Sequence, residues 1–175
     1  MLRPRLRCAF SLIEVVIAVG IFALAVTTAL ALLPALTRQS GDTTDALTAQ
    51  RLPDRIRVEL QRLATSGGFD ALANRVPVMT APLTGGLELA AAHDGAKLHS
   101  VGYLPPALSE QLPLAEQYFA VEVWRFAQPP LAYDSSAAVL ALYVRVSWPY
   151  RTPASSAPTA LADRQQLTCV VSLRR

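Results

Sequence analysis

Cysteine, histidine and charge are all scarce in this sequence. The two cysteines of its 175 residues, Cys8 and Cys169, are too few for a disulfide framework. The two histidines, His93 and His99, lie in a turn-rich region with no cysteine or paired carboxylates beside them at metal-ligand spacing, and read as solvated loop residues. There is no G-x-S-x-G elbow, no phosphate-cradling glycine loop and no setting for a glycosidase-like pair of acids. No catalytic residue, metal or cofactor is therefore expected, and no small-molecule substrate. Charged residues make up only 17% against 52% hydrophobic, and the mean hydropathy is +0.31, which excludes a disordered chain and demands a nonaqueous home for part of the apolar excess. The net charge of +3 arises at the N-terminal tip: Arg3, Arg5 and Arg7 are three of 16 basic residues, and the other 13 balance the 13 acids. A chain balanced elsewhere offers no extended phosphate-binding face, so nucleic acid is not an expected partner. The length suits one core plus an appendage.

The apolar excess is concentrated. Residues Val15 to Thr37 form an uncharged run of 23, long enough at about 1.5 Å per residue to cross a hydrocarbon core as a helix. Three arginines precede it, while Arg38 is outnumbered afterwards by Asp42 and Asp45, so the positive-inside bias places the N-terminus in the cytoplasm and the rest across the membrane. A cleaved signal peptide with a site at Ala23-Leu24-Ala25 is disfavoured, because the apolar run continues past that site and Glu14 sits near its start. A lipoprotein signal fails because Cys8 follows RPRLR rather than an apolar stretch. A carboxylate at the head of such a run costs about 2.5 to 3.5 kcal/mol on insertion scales unless it stays at the interface or is paired.

The string from Arg7 to Val19, RCAFSLIEVVIAV, combines a basic leader, a small residue at Ala9, an aromatic at Phe10 and SLIEV running into the apolar helix. It resembles the N-terminus of type IV pilins and of the pseudopilins of type II secretion systems. The resemblance covers roughly the first fifth of the chain and implies cleavage between Ala9 and Phe10 by a membrane-embedded prepilin peptidase, which then methylates the new amine of Phe10. It makes Glu14 the family glutamate, the fifth residue of the mature chain. Ala9 departs from the pattern, since the family usually has glycine there. Physically, Glu14 lies about one helical turn, roughly 6 Å, from the amine of Phe10. In a side-by-side bundle Glu14 of one subunit can pair with the amine of its neighbour, compensating two charges that are each penalised alone. The amine also opposes its own helix dipole, which favours an acidic partner.

Beyond the run, Pro34 is expected to bend the helix near Leu30, Ser40 to Asp42 to interrupt it, and Thr43 or Thr44 to cap a restart. Pro53 predicts a further break near residues 50–53. Leu52, Ile56, Leu60 and Leu63 repeat at helical spacing, the stripe of an amphipathic helix that ends at the TSGG of Thr65 to Gly68. Residues 75–80, 87–91 and 97–103 read as short strands, and Gln117 to Ala127, Ala137 to Trp148 and Gln165 to Leu173 as longer ones. In the second of these, Leu140, Leu142, Val144 and Val146 alternate with Ala141, Tyr143, Arg145 and Ser147, predicting one buried and one wet face. Trp124, Trp148, Tyr143 and Tyr150 read as packing residues, and Cys169 as a small buried thiol. The loop from Pro149 to Asp163 holds one acid, Asp163, too few oxygens for calcium.

The expected fold is α+β: a long N-terminal helix, its first half transmembrane, packed against a C-terminal antiparallel meander. Leader, assembly helix, amphipathic continuation and periplasmic sheet domain are placed at residues 1–9, 10–37, 38–65 and 66–175. What the resemblance implies is a non-enzymatic minor pilin or pseudopilin of the inner membrane. Its partners are the prepilin peptidase and methyltransferase, other pilin subunits and membrane lipid. Rival readings are a signal-anchored periplasmic binding module that does not polymerise, and a membrane-anchored hydrolase using His93 or His99.

Overall fold

The computed structural model describes residues 11–96, 98–100, 112–152 and 157–175, and they form an α+β protein. Helix α1 spans Leu12–Gly67, a short α2 follows at Phe69–Arg75, and five strands complete the chain: β1 Leu87–Ala91, β2 Leu98–Ser100, β3 Phe119–Arg125, β4 Val139–Trp148 and β5 Gln165–Arg174. The chain divides into two compact units, one ending at Thr44 and the other comprising Asp45–Arg175.

In the second unit the residues of α1 that face the sheet are Ala49, Leu52, Ile56, Leu60 and Leu63, all buried. Their spacing is the helical stripe visible in the sequence. Burying side chains of this size contributes about 1.5 to 3 kcal/mol each. Together they outweigh the roughly 3 kcal/mol that a proline costs inside a helix. That is why the expected break at residues 50–53 is absent: α1 is helical through Pro53. It is also helical through Pro34 and through Ser40 to Asp42. Thr43 and Thr44 do not cap a restart; their hydroxyls donate back to the carbonyls of Gln39 (2.8 Å) and Ser40 (2.9 Å), as threonines do within a continuous helix.

The sheet is antiparallel throughout, in the order β2-β1-β3-β4-β5. Only β3, β4 and β5 form the expected meander. β2 is a three-residue flap on the outer side of β1, so β3 returns to pair with β1, with Leu89 opposite Val121. β1 matches the expected 87–91, while β2 occupies only 98–100 of the expected 97–103, and residues 101–103 lie outside the described residues. No strand forms over 75–80. Instead Val76 closes α2 through its N–H to the carbonyl of Leu72 (3.1 Å), and Val78 makes one isolated parallel bridge to Arg125. Pro77 cannot donate to a ladder, which limits pairing there to single contacts.

Leu140, Leu142, Val144 and Val146 of β4 are fully buried against the helix, as the alternation predicts. The opposite face is not simply wet. Arg145 and Ser147 on that face are buried, and Trp124 of β3 is fully so. The segment before β1 lies over it: the carbonyl of Leu83 accepts from Arg145 (3.3 Å) and that of Thr84 from the indole N–H of Trp124 (3.3 Å). A Cβ on Gly86 would stand 2.7 Å from the Trp124 ring, so the closeness of this cover depends on glycine.

Candidate functional site

The N-terminal motif enters the structure at Ser11, whose carbonyl accepts from the N–H of Glu14 (3.0 Å) and of Val15 (3.3 Å), opening the first turn of α1. Glu14 lies in that turn, where the positive end of the helix dipole favours a carboxylate. Ala9, Phe10, Arg3, Arg5 and Arg7, the expected cleavage, methylation and leader residues, lie outside the described residues.

Every residue from 11 to 44 is exposed, including Leu12 at 85% and Phe22 at 70%. Glu14, Ala18 and Phe22, at four-residue steps, form one stripe and line a shallow groove with Val15 and Val19. An apolar surface of this extent is stable only against lipid or other protein. The helix is long and apolar enough to cross a membrane by length and composition, and so fits a membrane-anchored protein. Its few polar side chains are satisfied internally. Thr27 donates to the carbonyl of Ala23 (2.5 Å), Thr28 to those of Leu24 and Ala25 (both 2.9 Å), and Thr37 to those of Leu33 (3.1 Å) and Pro34 (3.0 Å). Each hydroxyl thus carries its own partner into an apolar medium, where an unmade hydrogen bond is costly. Glu14 is the one charged side chain among the described residues before Arg38.

The sheet unit gathers two polar clusters that the sequence reading did not identify. In the first, Asp45 on α1 accepts a hydrogen bond from the hydroxyl of Tyr118, and its other oxygen lies 2.9 Å from Nε2 of His93. The His93 ring stands edge-on to that of Tyr118, at 4.5 Å between centroids. A signal existed, because Asp45 precedes Ala49, Leu52 and Ile56 at helical spacing and therefore sits on the buried stripe. In the second cluster, Arg145 and Glu122, directly opposite on β4 and β3, pair at 2.7 Å, and the guanidinium lies 4.9 Å over the Trp124 ring.

In the first cluster His93 meets Asp45 and Tyr118, and in the second Glu122 is paired with Arg145. Among the described residues no group of three histidine, cysteine or acidic side chains is placed to hold a metal. His93 is exposed in a turn, and Asp94 accepts from the backbone N–H of Ala96 (2.8 Å) within it. Gly95 takes a positive φ of 61°, and its missing Cβ leaves room for Thr48 and Leu52 of the helix. His99 departs from the loop reading, being a half-buried member of β2 opposite Ala90. Cys169 on β5 is half-buried against the core, and burial pushes its thiol pKa up. Trp124 and Trp148 are packing residues. Tyr150 is instead flanked by two guanidiniums, Arg164 at 4.7 Å and Arg151 at 5.0 Å, and burial lowers the pKa of Arg164.

Residues 4–30 match the family model described as the prokaryotic N-terminal methylation motif, the signature of type IV pilins and pseudopilins. No curated protein and no solved structure matches the chain. The matched segment holds Arg5 and Arg7 of the basic leader, Ala9, Phe10, Glu14 and much of the exposed apolar helix. It supports a precursor of the pilin or pseudopilin type, processed by prepilin peptidase and associating with other pilins.

Proposed function

We propose that this chain is a non-enzymatic subunit, of minor type, of a type II secretion pseudopilus or type IV pilus. It is inserted with its N-terminus in the cytoplasm and its sheet unit in the periplasm, cut after Ala9, methylated on Phe10 and assembled laterally through α1. The observation that carries this reading is that residues 11–37, all exposed and almost wholly apolar, hold a single carboxylate, Glu14, in the first turn of α1 and within the methylation motif. On transfer into a bundle of like helices, Glu14 meets the cationic amine of a neighbour's Phe10. In a low-dielectric setting that pairing offsets two desolvation penalties at once and so favours one register over others. The threonine hydroxyls make no comparable demand, since each is already bonded within its own helix.

Mass spectrometry of the protein isolated from cells tests the processing step. The expected mature chain begins with N-methylated Phe10. An intact Met1, or a terminus near Val26, overturns the filament reading in favour of a signal-anchored module. Glu14→Ala tests the assembly step: the variant is expected to be inserted and cut normally but recovered poorly in filaments. Normal incorporation shows that the charge pair is dispensable.

A further inference from the structure

Among the described residues the outer edge of β5 is an open hydrogen-bonding rim, and we propose that it takes an extended segment of a different protein, uncharged but for one acid, as a sixth strand of the sheet. This inference does not depend on filament assembly.

The geometry of β5 fixes which backbone groups face outward. Arg175 donates its N–H to the carbonyl of Ala138 (2.9 Å), so the odd-numbered residues are hydrogen-bonded toward β4. Arg174, one residue earlier, turns both backbone groups the other way, and the side-chain amide of Gln61 meets them. Its Nε2 donates to the Arg174 carbonyl (2.8 Å), and its Oε1 accepts from the Arg174 N–H (3.2 Å). Antiparallel alternation then directs the N–H and C=O of Gln166, Thr168, Val170 and Ser172 outward as well. β5 pairs with β4 in unbroken register from Gln165 to Arg174, so no bulge turns this rim away.

Gln61 shows what the rim accepts. A primary amide offering one donor and one acceptor to a single residue reproduces the contact that a neighbouring strand makes. It occupies the last position only. The four others lie on exposed residues, Val170 among them at 58%. The usual protections of an edge are missing too, for Gln165 to Leu173 contains no charge and no proline. Charge sets the occupant. The neutral rim is bounded by Arg164, already engaged with the carbonyl of Thr159, and by the exposed side chain of Arg174. A fitting strand is neutral along its length with an acid opposite Arg174.

A second copy of the chain is a poor occupant. Its own β5 offers no acid to stand opposite Arg174, because residues 165–173 are uncharged and the residues that bound them, Arg164 and Arg174, are both basic. A segment from another protein carries no such constraint.

The test uses the full chain in detergent micelles, with the capped nonapeptide Glu-Thr-Val-Thr-Val-Thr-Val-Thr-Val, which reaches antiparallel from Arg174 to Gln166, as probe and residue-resolved amide exchange as readout. Without peptide, the amides of Gln166, Thr168, Val170 and Ser172 are expected to exchange freely while those of Leu167, Cys169 and Val171 are protected. With peptide at about ten times its Kd, the four outward amides are expected to slow about tenfold. Thr168→Pro, which removes an outward N–H and no β4–β5 bond, is expected to abolish the slowing. Unchanged exchange at the four amides, or slowing that survives Thr168→Pro, overturns the proposal. Should that variant not fold, Val170→Lys replaces it with the same two readings. Glu14→Ala leaves the peptide response intact, so failure of the filament reading and failure of this one are told apart.

Discussion

Asp45 stands at the head of the buried stripe of α1 and receives the phenolic hydrogen of Tyr118, while His93 meets its other oxygen at 2.9 Å. One carboxylate thus ties the helix to the β1–β2 turn and to the start of β3. It is buried where the stripe would otherwise place an apolar residue, and its two partners offset the cost of its desolvation. Because the helix reaches the sheet unit at this residue, the cluster sets where α1 begins to be held by the core.

Replacing Asp45 by Ala removes the acceptor common to Tyr118 and His93. The expected loss is about 1 to 3 kcal/mol, the range for disrupting a buried hydrogen-bonded carboxylate. Tyr118→Phe removes one bond and is expected to cost about 1 kcal/mol. Urea denaturation of both variants checks this. Equal losses would mean that the exposed His93 contact adds nothing, as for most surface pairs.

The Glu122–Arg145 pair lies on a face that simple alternation assigns to solvent. With the two side chains only 16% and 9% exposed, losing one partner strands a charge in poor solvent. Glu122→Gln is expected to destabilise by about 3 kcal/mol, and the double change Glu122→Leu with Arg145→Met by much less. A double-mutant cycle on the denaturation midpoints measures the coupling, which is expected at about 1 to 3 kcal/mol.

These two clusters mark where sequence reasoning ended. The stripe from Leu52 to Leu63 and the strands β3, β4 and β5 were legible because their apolar periods are long and clean. β1 was legible between its flanking turn residues. The helix α2 was not: Phe69–Arg75 is too short to show a period, and TSGG before it reads as a stop. The expected break at Pro53 follows local propensity, which tertiary burial of Leu52 and Ile56 overrides. Arg145 reads as a wet residue because its cover, the segment with Leu83 and Thr84, comes from distant sequence with no periodic signal. Of the candidate site, the leader, Phe10, Glu14 and the apolar run were all visible in order. The Asp45 and Glu122 contacts need the folded chain, since they join residues far apart in sequence.

Gly86 is expected to tolerate no side chain. A Cβ there would lie 2.7 Å from Cε2 and 2.9 Å from Cζ2 of Trp124, a ring that is fully buried and has nowhere to retreat. Gly86→Ala is expected to cost about 1 to 3 kcal/mol by overpacking. Tryptophan fluorescence of the folded variant checks whether the ring has moved, and an unchanged spectrum at unchanged stability would contradict the contact.

Cys169 gives a prediction with a definite sign in pH. Burial raises its folded pKa above the ordinary thiol value of 9.0. The unfolded chain therefore loses this proton first as pH rises. The associated stability is complete below that ordinary value and is lost as pH climbs through the folded pKa. The same shift lowers the thiolate fraction. In a Cys8→Ser background, alkylation of native protein by iodoacetamide is expected to run about tenfold slower than in urea. Equal rates would place the thiol in solvent.

Pro53 offers the strongest test of how far burial governs α1. The helix continues through it although its ring nitrogen cannot donate to the carbonyl of Ala49, four residues back, and Ala49 is itself fully buried. Pro53→Ala restores that donor and removes the ring's clash, a gain of up to about 3 kcal/mol in a helix interior. Against this stands the extra freedom of the unfolded chain, about 1 kcal/mol. Some packing of the half-buried ring is lost as well. The net expectation is a rise of about 1 kcal/mol in unfolding free energy at unchanged denaturant slope. Protection of the residue 53 amide in hydrogen exchange is the direct check. A fall in stability with that amide protected would show that the proline ring is needed as a packing element. A fall with it unprotected would show that α1 is bent open at Pro53 whatever residue stands there.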